Sequence, residues 1–344
     1  MIALLIPSFF LFLFATFNLF GIKSHLVPNQ IIFFVIGSAL FFFIRFFARP
    51  YIKLHIHRLY WIFVALLLLT FFIGLEVKGS RRWIDLPFFN FQPSEFFKII
   101  FVFFLANFFS QKYHAINNAG IFVVSLLYLI LPVSIIFLQP DFGTSTVYVV
   151  GFLSVVLFSK VPKKYLAMLL FFFLILIPIM WPFLKSYQRD RILSFIHTDK
   201  TQHEESYNMI QAVITTGSGQ FVGRGLGLGT QSRLYFLPEN HTDFAFSSLI
   251  EQFGFIAGFI VFILYAVILT VLMRRLWFHL THFDQDWEVQ TLYIVGFSAM
   301  FVFQIVINTG MNMGLLPIAG ITLPFISYGG SSFLTLLLGL ALVN

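Results

Sequence analysis

The 344-residue sequence predicts an all-α, polytopic membrane protein: one domain over 1–344, ten transmembrane helices, and a long extracytoplasmic loop between helices 7 and 8. Three observations predict it. Hydrophobic residues make up 59% and charged residues 10%, with mean hydropathy +0.92. A soluble domain carries about 25% charge, so a water-soluble enzyme is excluded. The apolar residues fall in uninterrupted runs near the roughly 20 residues that cross a bilayer, not in the roughly ten-residue alternation of a membrane barrel. Lys and Arg gather in alternate connections, the asymmetry that orients helical membrane proteins.

The runs and their breaks place helices at 2–21, 30–48, 59–77, 94–111, 118–138, 142–159, 165–185, 244–273, 289–309 and 318–343. The first has no basic residue ahead of it and no small-residue cleavage site, so it is a helix and not a signal peptide. Even-numbered connections hold Arg45, Arg49, Lys53, Arg58, Lys112, Lys160, Lys163, Lys164, Arg274 and Arg275. Short odd-numbered ones hold only Lys23, Lys78, Arg81 and Arg82. Both termini are therefore expected in the cytoplasm, with the odd loops outside. The loop 186–243 carries further basic residues but is a poor voter, because long loops translocate regardless of charge.

Other composition features narrow the chemistry. There are no cysteines, which excludes disulfides, thiolate metal sites and cysteine nucleophiles. The net charge of +7 suits cytoplasmic loops and anionic lipid, not nucleic acid. The 51 phenylalanines are lipid-facing and packing bulk.

In so apolar a chain the informative residues are polar ones near bilayer depth. The fourth helix opens Gln92-Pro93-Ser94-Glu95 and carries Lys98. Pro93-Ser94 reads as a helix start, and Glu95 suits its positive end. Glu95 and Lys98 are three apart, so they share a face and can neutralise each other. A structural ion pair and a Lys98 that reaches an anionic substrate group both fit. In Gln139-Pro140-Asp141-Phe142-Gly143-Thr144, Asp141 is placed to cap the sixth helix. The uncharged stretch from Pro317 to Ser332 reads as a broken-helix entry, open to close packing or to substrate contact.

The loop 186–243 is far longer than a connector needs, which marks it as functional. It begins with the aromatic–basic edge Tyr187-Gln188-Arg189-Asp190-Arg191, and Tyr207-Asn208-Met209-Ile210-Gln211 fits a short amphipathic helix. The run Gly217 to Thr230 is neither a P-loop nor a dinucleotide fingerprint. Its glycines permit tight re-entrant turns, with Arg224 and Arg233 as cationic points. The loop ends Glu239-Asn240-His241-Thr242-Asp243 at the mouth of an apolar helix. Asp243 suits an N-cap, yet Glu239, His241 and Asp243 crowd an apolar wall, the setting in which a carboxylate acts as a base. Asn240-His241-Thr242 also matches a glycosylation sequon, a weak pattern here.

Taken in order, GSRRWI, FQPSEFFK, QPDFGT, YNMIQAVITTGSGQFVGRGLGLGTQSRLYFLPENHTDFAF and NTGMNMGLLPIAGITLPFISYGGSS resemble the SEDS family of RodA and FtsW, over about 74–335. The GTQS run looks closer to RodA. One departure is Ala245, where the family usually has isoleucine after HTDF.

The resemblance implies a peptidoglycan glycosyltransferase that polymerises lipid II outside the bacterial cytoplasmic membrane. It implies Asp243 as catalytic aspartate and Trp83 as another activity-critical position. Arg81, Gln92, Ser94, Glu95 and Lys98 would help form the substrate cavity, and Asp141, Arg224, Glu239 and His241 join them as candidate substrate contacts. A class B penicillin-binding protein is the implied partner, beside lipid II and membrane lipids. No cofactor is demanded; a divalent cation, Mg or Mn, at the pyrophosphate stays open. One carboxylate among arginines suits this chemistry, since the leaving pyrophosphate needs cations more than an acid, unlike a glycosidase with two carboxylates. Buried charges and broken helices equally describe a lipid flippase, and a catalytically silent scaffold is a third class.

Overall fold

The structure, a computed structural model, describes residues 2–77, 80–86, 89–112, 118–180, 204–234, 236–282 and 286–344. In chain order the helices are α1 (Ile2–Lys23), α2 (Val27–Phe43, prolonged by a π-helical turn to Ala48), α3 (Arg49–Leu54) and α4 (Ile56–Ile73). A small antiparallel sheet follows, β1 (Leu75–Val77), β2 (Ser80–Asp85) and β3 (Asn90–Phe91), in the order β1-β2-β3. Then come α5 (Pro93–Lys112), α6 (Asn118–Leu138), α7 (Phe142–Phe158) and α8 (Lys163–Met180). After them lie α9 (Glu204–Ser218), α10 (Thr230–Arg233), α11 (Ala245–His282), α12 (Trp287–Asn312) and α13 (Gly330–Leu342).

The architecture is that of a multi-pass helical membrane protein. Among the described residues, six helical stretches are long and apolar enough to cross a membrane, the first of them the 53-residue stretch Ile2–Leu54. Phe142–Phe158 and Gly330–Leu342 are shorter apolar helices. Helix α5 is the hub: Phe97 and every residue from Ile99 to Ala106 are buried, so it is enclosed on all sides by α4, α7, α12 and α13. Helices α7 and α12 meet α5 closely through small residues. A Cβ on Gly296 would stand 2.5 Å from Val102 Cγ1 and 2.7 Å from Val155 Cγ2.

Four expected boundaries move, each for a local reason. The helix expected at 59–77 stops at Ile73, where Gly74 takes an extended conformation and the chain enters β1. The segment 78–93 supplies β2 and β3 instead of plain loop. The helix expected at 244–273 runs on to His282, so Arg274 and Arg275 lie inside it. The helix expected at 318–343 starts only at Gly330. Ahead of it Pro317 and Pro324 lack N–H donors, and Gly314 and Gly320 take φ +72° and +63°, so 313–329 is irregular chain. That chain is enclosed, with Ile321, Leu323, Phe325 and Ile326 buried. Asn308 Nδ2 donates to Ile321 O at 2.7 Å, Tyr265 Oη to Pro324 O at 2.6 Å, and Leu323 N to Ser327 Oγ at 2.8 Å. Non-helical backbone survives in a membrane protein only where its polar groups are met this way. The edge 186–203, including Tyr187 to Arg191, lies outside the described residues.

The glycine run does turn back on itself, and it inserts into a break in α11. Gly254 has φ 76° and ψ −178°, a conformation essentially reserved for glycine. A continuous helix would bond Phe255 N to Glu251 O and Ile256 N to Gln252 O. Instead Arg224 N donates to Glu251 O (2.9 Å) and Gly225 N to Gln252 O (3.0 Å), while Phe255 N donates to Gln220 O (2.8 Å) and Ile256 N to Phe221 O (3.2 Å). Four loop bonds thus replace the two helical ones. A Cβ on Gly254 would stand 2.3 Å from Phe221 O. Gly254→Ala is therefore expected to lose at least about 1–3 kcal/mol from backbone strain alone. It should lower the melting temperature and expose 217–229 to protease; unchanged melting and protection would refute the insertion.

Candidate functional site

The first part of the site gathers where α5 and α7 begin. Pro93 occupies the first turn of α5 and Glu95 follows, as the helix-start pattern requires. The three-residue spacing brings Lys98 Nζ to 2.7 Å from Glu95 Oε2, with side-chain exposures of 2% and 10%. Gln92 Nε2 donates to Ser94 Oγ at 3.2 Å and to Asp141 Oδ2 at 3.4 Å. Asp141 is the expected cap of α7: Oδ1 accepts from Thr144 N (3.1 Å) and Oδ2 from Thr144 Oγ1 (2.9 Å). Tyr148 Oη donates to Ser94 O at 2.7 Å.

The arginine in this cluster is one the sequence reading passed over. Arg82 lies 3.6 Å from Asp141 Oδ1 and donates to the carbonyls of Gln139 and Pro140. Side chains alternate along a strand, so its neighbour Arg81 points the other way. Arg81 pairs across the sheet with Glu76 at 2.9 Å, both side chains half-exposed. Trp83 shares the Arg81 face by strand alternation, and the Arg82 guanidinium stands 5.9 Å from its ring centre. The structure therefore brings Gln92, Ser94, Glu95, Lys98, Asp141 and Arg82 together and leaves Arg81 outside that cluster.

The second part is the turn that carries Asp243. Three consecutive carbonyls are fastened to α12 and to the irregular chain before α13. His241 O accepts from Tyr328 N (2.8 Å), Thr242 O from Ser327 Oγ (2.6 Å), and Asp243 O from Asn308 Nδ2 (3.0 Å) and Asn312 Nδ2 (3.1 Å). Glu239 closes the turn from inside: its carbonyl accepts from Thr242 N and Phe244 N, and its Oε2 from Thr242 Oγ1 at 2.9 Å. Asn312 Oδ1 also takes Ser247 N at 3.0 Å. One amide thus spans the Asp243 carbonyl and the Ser247 N–H, which would have bonded each other had the helix begun earlier. The side chain that meets this N–H at the mouth of α11 is Asn312. Asn240 is buried and donates to Ser232 O, which removes it as a glycosylation site.

The two parts share a wall. A Cβ on Gly143 would stand 2.3 Å from Ala319 O, and one on Gly320 would stand 3.9 Å from Asp243 Oδ2. The 319–320 backbone therefore lies between the start of α7 and the Asp243 carboxylate, with the Ile321 side chain also against Gly143. The loop cations are held elsewhere. Arg224 Nε donates to Ser218 O (3.3 Å) and Arg233 Nη1 to Gly227 O (3.2 Å), both residues exposed. Arg224 N meets α11 at Glu251, about 12 Å of helical rise from Asp243. Among the described residues no group of three or more His, Asp or Glu side chains could hold a metal ion.

Arg82, Asn308, Asn312 and Ser327 are the site residues that sequence reasoning missed. Strand alternation in GSRRWI separates the two arginines, and the four-residue spacing of Asn308 and Asn312 sets both amides on one helix face. Those signals were present.

The comparisons with known proteins agree with this architecture. Among curated relatives, the peptidoglycan glycosyltransferase MrdB of Helicobacter pylori strain J99 is 32% identical over 100% of this chain and 87% of its own length. MrdB of Escherichia coli K12 is 34% identical over 83% of this chain and 75% of its own. A solved chain from a peptidoglycan synthase complex that coordinates polymerization and crosslinking superposes with TM-score 0.82 at 28% identity, covering 99% of this chain and 95% of that one. Thermus thermophilus RodA, a rod shape determining protein, gives TM-score 0.72 at 25% identity, covering 99% and 94%. The FtsW–RodA–SpoVE family model, described as Cell cycle protein, matches residues 2–344, and the chain belongs to that family.

Proposed function

We propose that this chain is a peptidoglycan glycosyltransferase that polymerises lipid II into glycan strands at the outer face of the cytoplasmic membrane, for cell shape or for division. The observation that carries the reading is the Asp243 turn, whose three successive carbonyls are pinned while its carboxylate lies along the bare Gly320 backbone. Such fastening gives a base a fixed position, the condition for productive proton transfer.

In the proposed reaction Asp243 takes the proton of the acceptor sugar hydroxyl. That oxygen attacks the donor's anomeric carbon with inversion, and the bond to the polyprenyl pyrophosphate breaks. The departing charge needs cations. Arg82 and Lys98, in the cluster across the 319–320 wall, are placed better for this than Arg224 and Arg233. Trp83 and Arg81 stand at the rim on the sheet. In this reading both termini are cytoplasmic, 186–243 is outside, and a class B penicillin-binding protein docks in the membrane to supply crosslinking.

The test is purified chain given labelled lipid II, with and without such a partner, read for glycan strands on a gel. Strands that lengthen or multiply when the partner co-purifies are expected. Lipid II that crosses vesicle membranes without strand formation would establish the flippase class instead, and no activity with any partner would favour a scaffold.

A further inference from the structure

Among the described residues, the proposed reaction leaves one wholly buried carboxylate unused. Glu251, on α11 just ahead of the Gly254 break, is 0% exposed. Its Oε1 accepts from Gln231 N (2.9 Å), and its Oε2 from Ser232 N (3.0 Å) and Ser232 Oγ (2.5 Å). These donors belong to the one-turn helix α10, too short to hold its shape alone. A buried ionised carboxylate is tolerated only when hydrogen-bonded in this manner.

The bonds continue toward the site. Ser232 O accepts from the amide of Asn240, itself 1% exposed, and Asn240 O accepts from Ser248 Oγ. Asn240 immediately precedes His241-Thr242-Asp243. The turn is thus held on two sides: α12 and the chain before α13 grip its three carbonyls, while Glu251 grips its leading residue through Ser232 and Asn240. The same stretch of α11 anchors the inserted loop, because Glu251 O and Gln252 O receive Arg224 N and Gly225 N, and Gln252 Oε1 receives Gly227 N at 2.9 Å.

We infer that Glu251 is a positioning residue for Asp243, acting through Ser232 and Asn240, so that the glycine-rich loop and the break in α11 set where the carboxylate stands. This rests on the base role proposed for Asp243. Glu251 keeps α10 in place as an acceptor of three hydrogen bonds, and a neutral amide there replaces one acceptor oxygen by a donor that faces other donors. The Asn240 side chain then loses its hold on Ser232 O, its carbonyl keeps only Ser248 Oγ, and the Asp243 turn shifts against the fixed 319–320 wall. A misplacement near 1 Å costs about 10²-fold in rate.

The experiment compares Glu251→Gln, Asn240→Ala and the double variant, each with its partner and lipid II, for kcat, KM and melting temperature. Each single is expected to lower kcat about 10²-fold with KM little changed. The double should be no worse than the poorer single, since both cut one chain of contacts. Wild-type kcat in folded Glu251→Gln, or losses that multiply in the double, would overturn the inference. Where Glu251→Gln does not fold, Asn240→Ala decides alone: lowered kcat at unchanged melting supports it, and wild-type kcat refutes it. A readout independent of activity uses the absence of native cysteine. A cysteine placed by Glu239→Cys should react with maleimide faster in both variants, and equal rates would overturn the positioning. Fully active Asp243→Asn would sink the base role, and the labelling rates would still report whether Glu251 holds the turn. Inactive Asp243→Asn beside fully active Glu251→Gln would sink this inference and leave the base role standing.

Discussion

Asp243→Asn is expected to leave a folded chain that no longer polymerises lipid II. Removing a positioned base typically costs about 10²–10⁴ in rate, and the amide keeps the size of the carboxylate while losing its basicity. Folding should survive because the turn is held by its carbonyls: Asn308 and Asn312 bind Asp243 O, not the carboxylate. Nor does the start of α11 depend on a cap from this residue at Ser247, whose N–H is bonded by Asn312 Oδ1. Glu239→Gln should be milder, since the Glu239 carbonyl closes the turn and an amide oxygen can still accept from Thr242 Oγ1. The measurement is the rate of glycan-strand formation together with the melting temperature. A stable, fully active Asp243→Asn would end the catalytic assignment, because Asn caps a helix as well as Asp does.

The sequence announced most of the helices because burying apolar residues in a bilayer leaves long runs that need no tertiary information to read. It announced the Glu95–Lys98 pair and the Asp141 cap for the same reason, since both are settled within one helical turn. What it concealed depends on partners far along the chain. The stretch 318–329 falls in the apolar run read as the tenth helix, its prolines and glycines marking a broken entry, and only its contacts with Asn308 and Tyr265 show that it is irregular chain held inside the protein. Arg81 and Arg82 are indistinguishable by composition, and it took a strand to send one to Glu76 and the other to Asp141. The loop arginines read as neighbours of Asp243 because they are close in sequence. In the structure they bind carbonyls of their own loop, at the Glu251 level of α11.

Glu95→Gln and Lys98→Met are each expected to destabilise the chain more than the two substitutions together. The pair sits at 2.7 Å with Lys98 almost wholly buried on the enclosed hub helix, so neither charge has water to turn to. Removing one partner strands the other in a low dielectric, a loss on the order of 3–5 kcal/mol. Replacing both leaves no stranded charge, and a neutral pair of similar volume is often tolerated. The stranded ammonium of Glu95→Gln should be the worse case. Lys98 is the more deeply buried side chain, 2% exposed against 10% for Glu95, so its charge is the costlier one to strand. A double-mutant cycle on thermal stability measures the coupling directly. Additive losses would mean that the two charges act separately and that the short contact contributes little. Activity then separates structure from chemistry. A double variant that regains stability and still fails to make strands places Lys98 on the substrate's anionic group as well as on Glu95. Recovery of both stability and activity confines the pair to holding the start of α5, where Gln92 and Ser94 would be the residues left to meet the substrate.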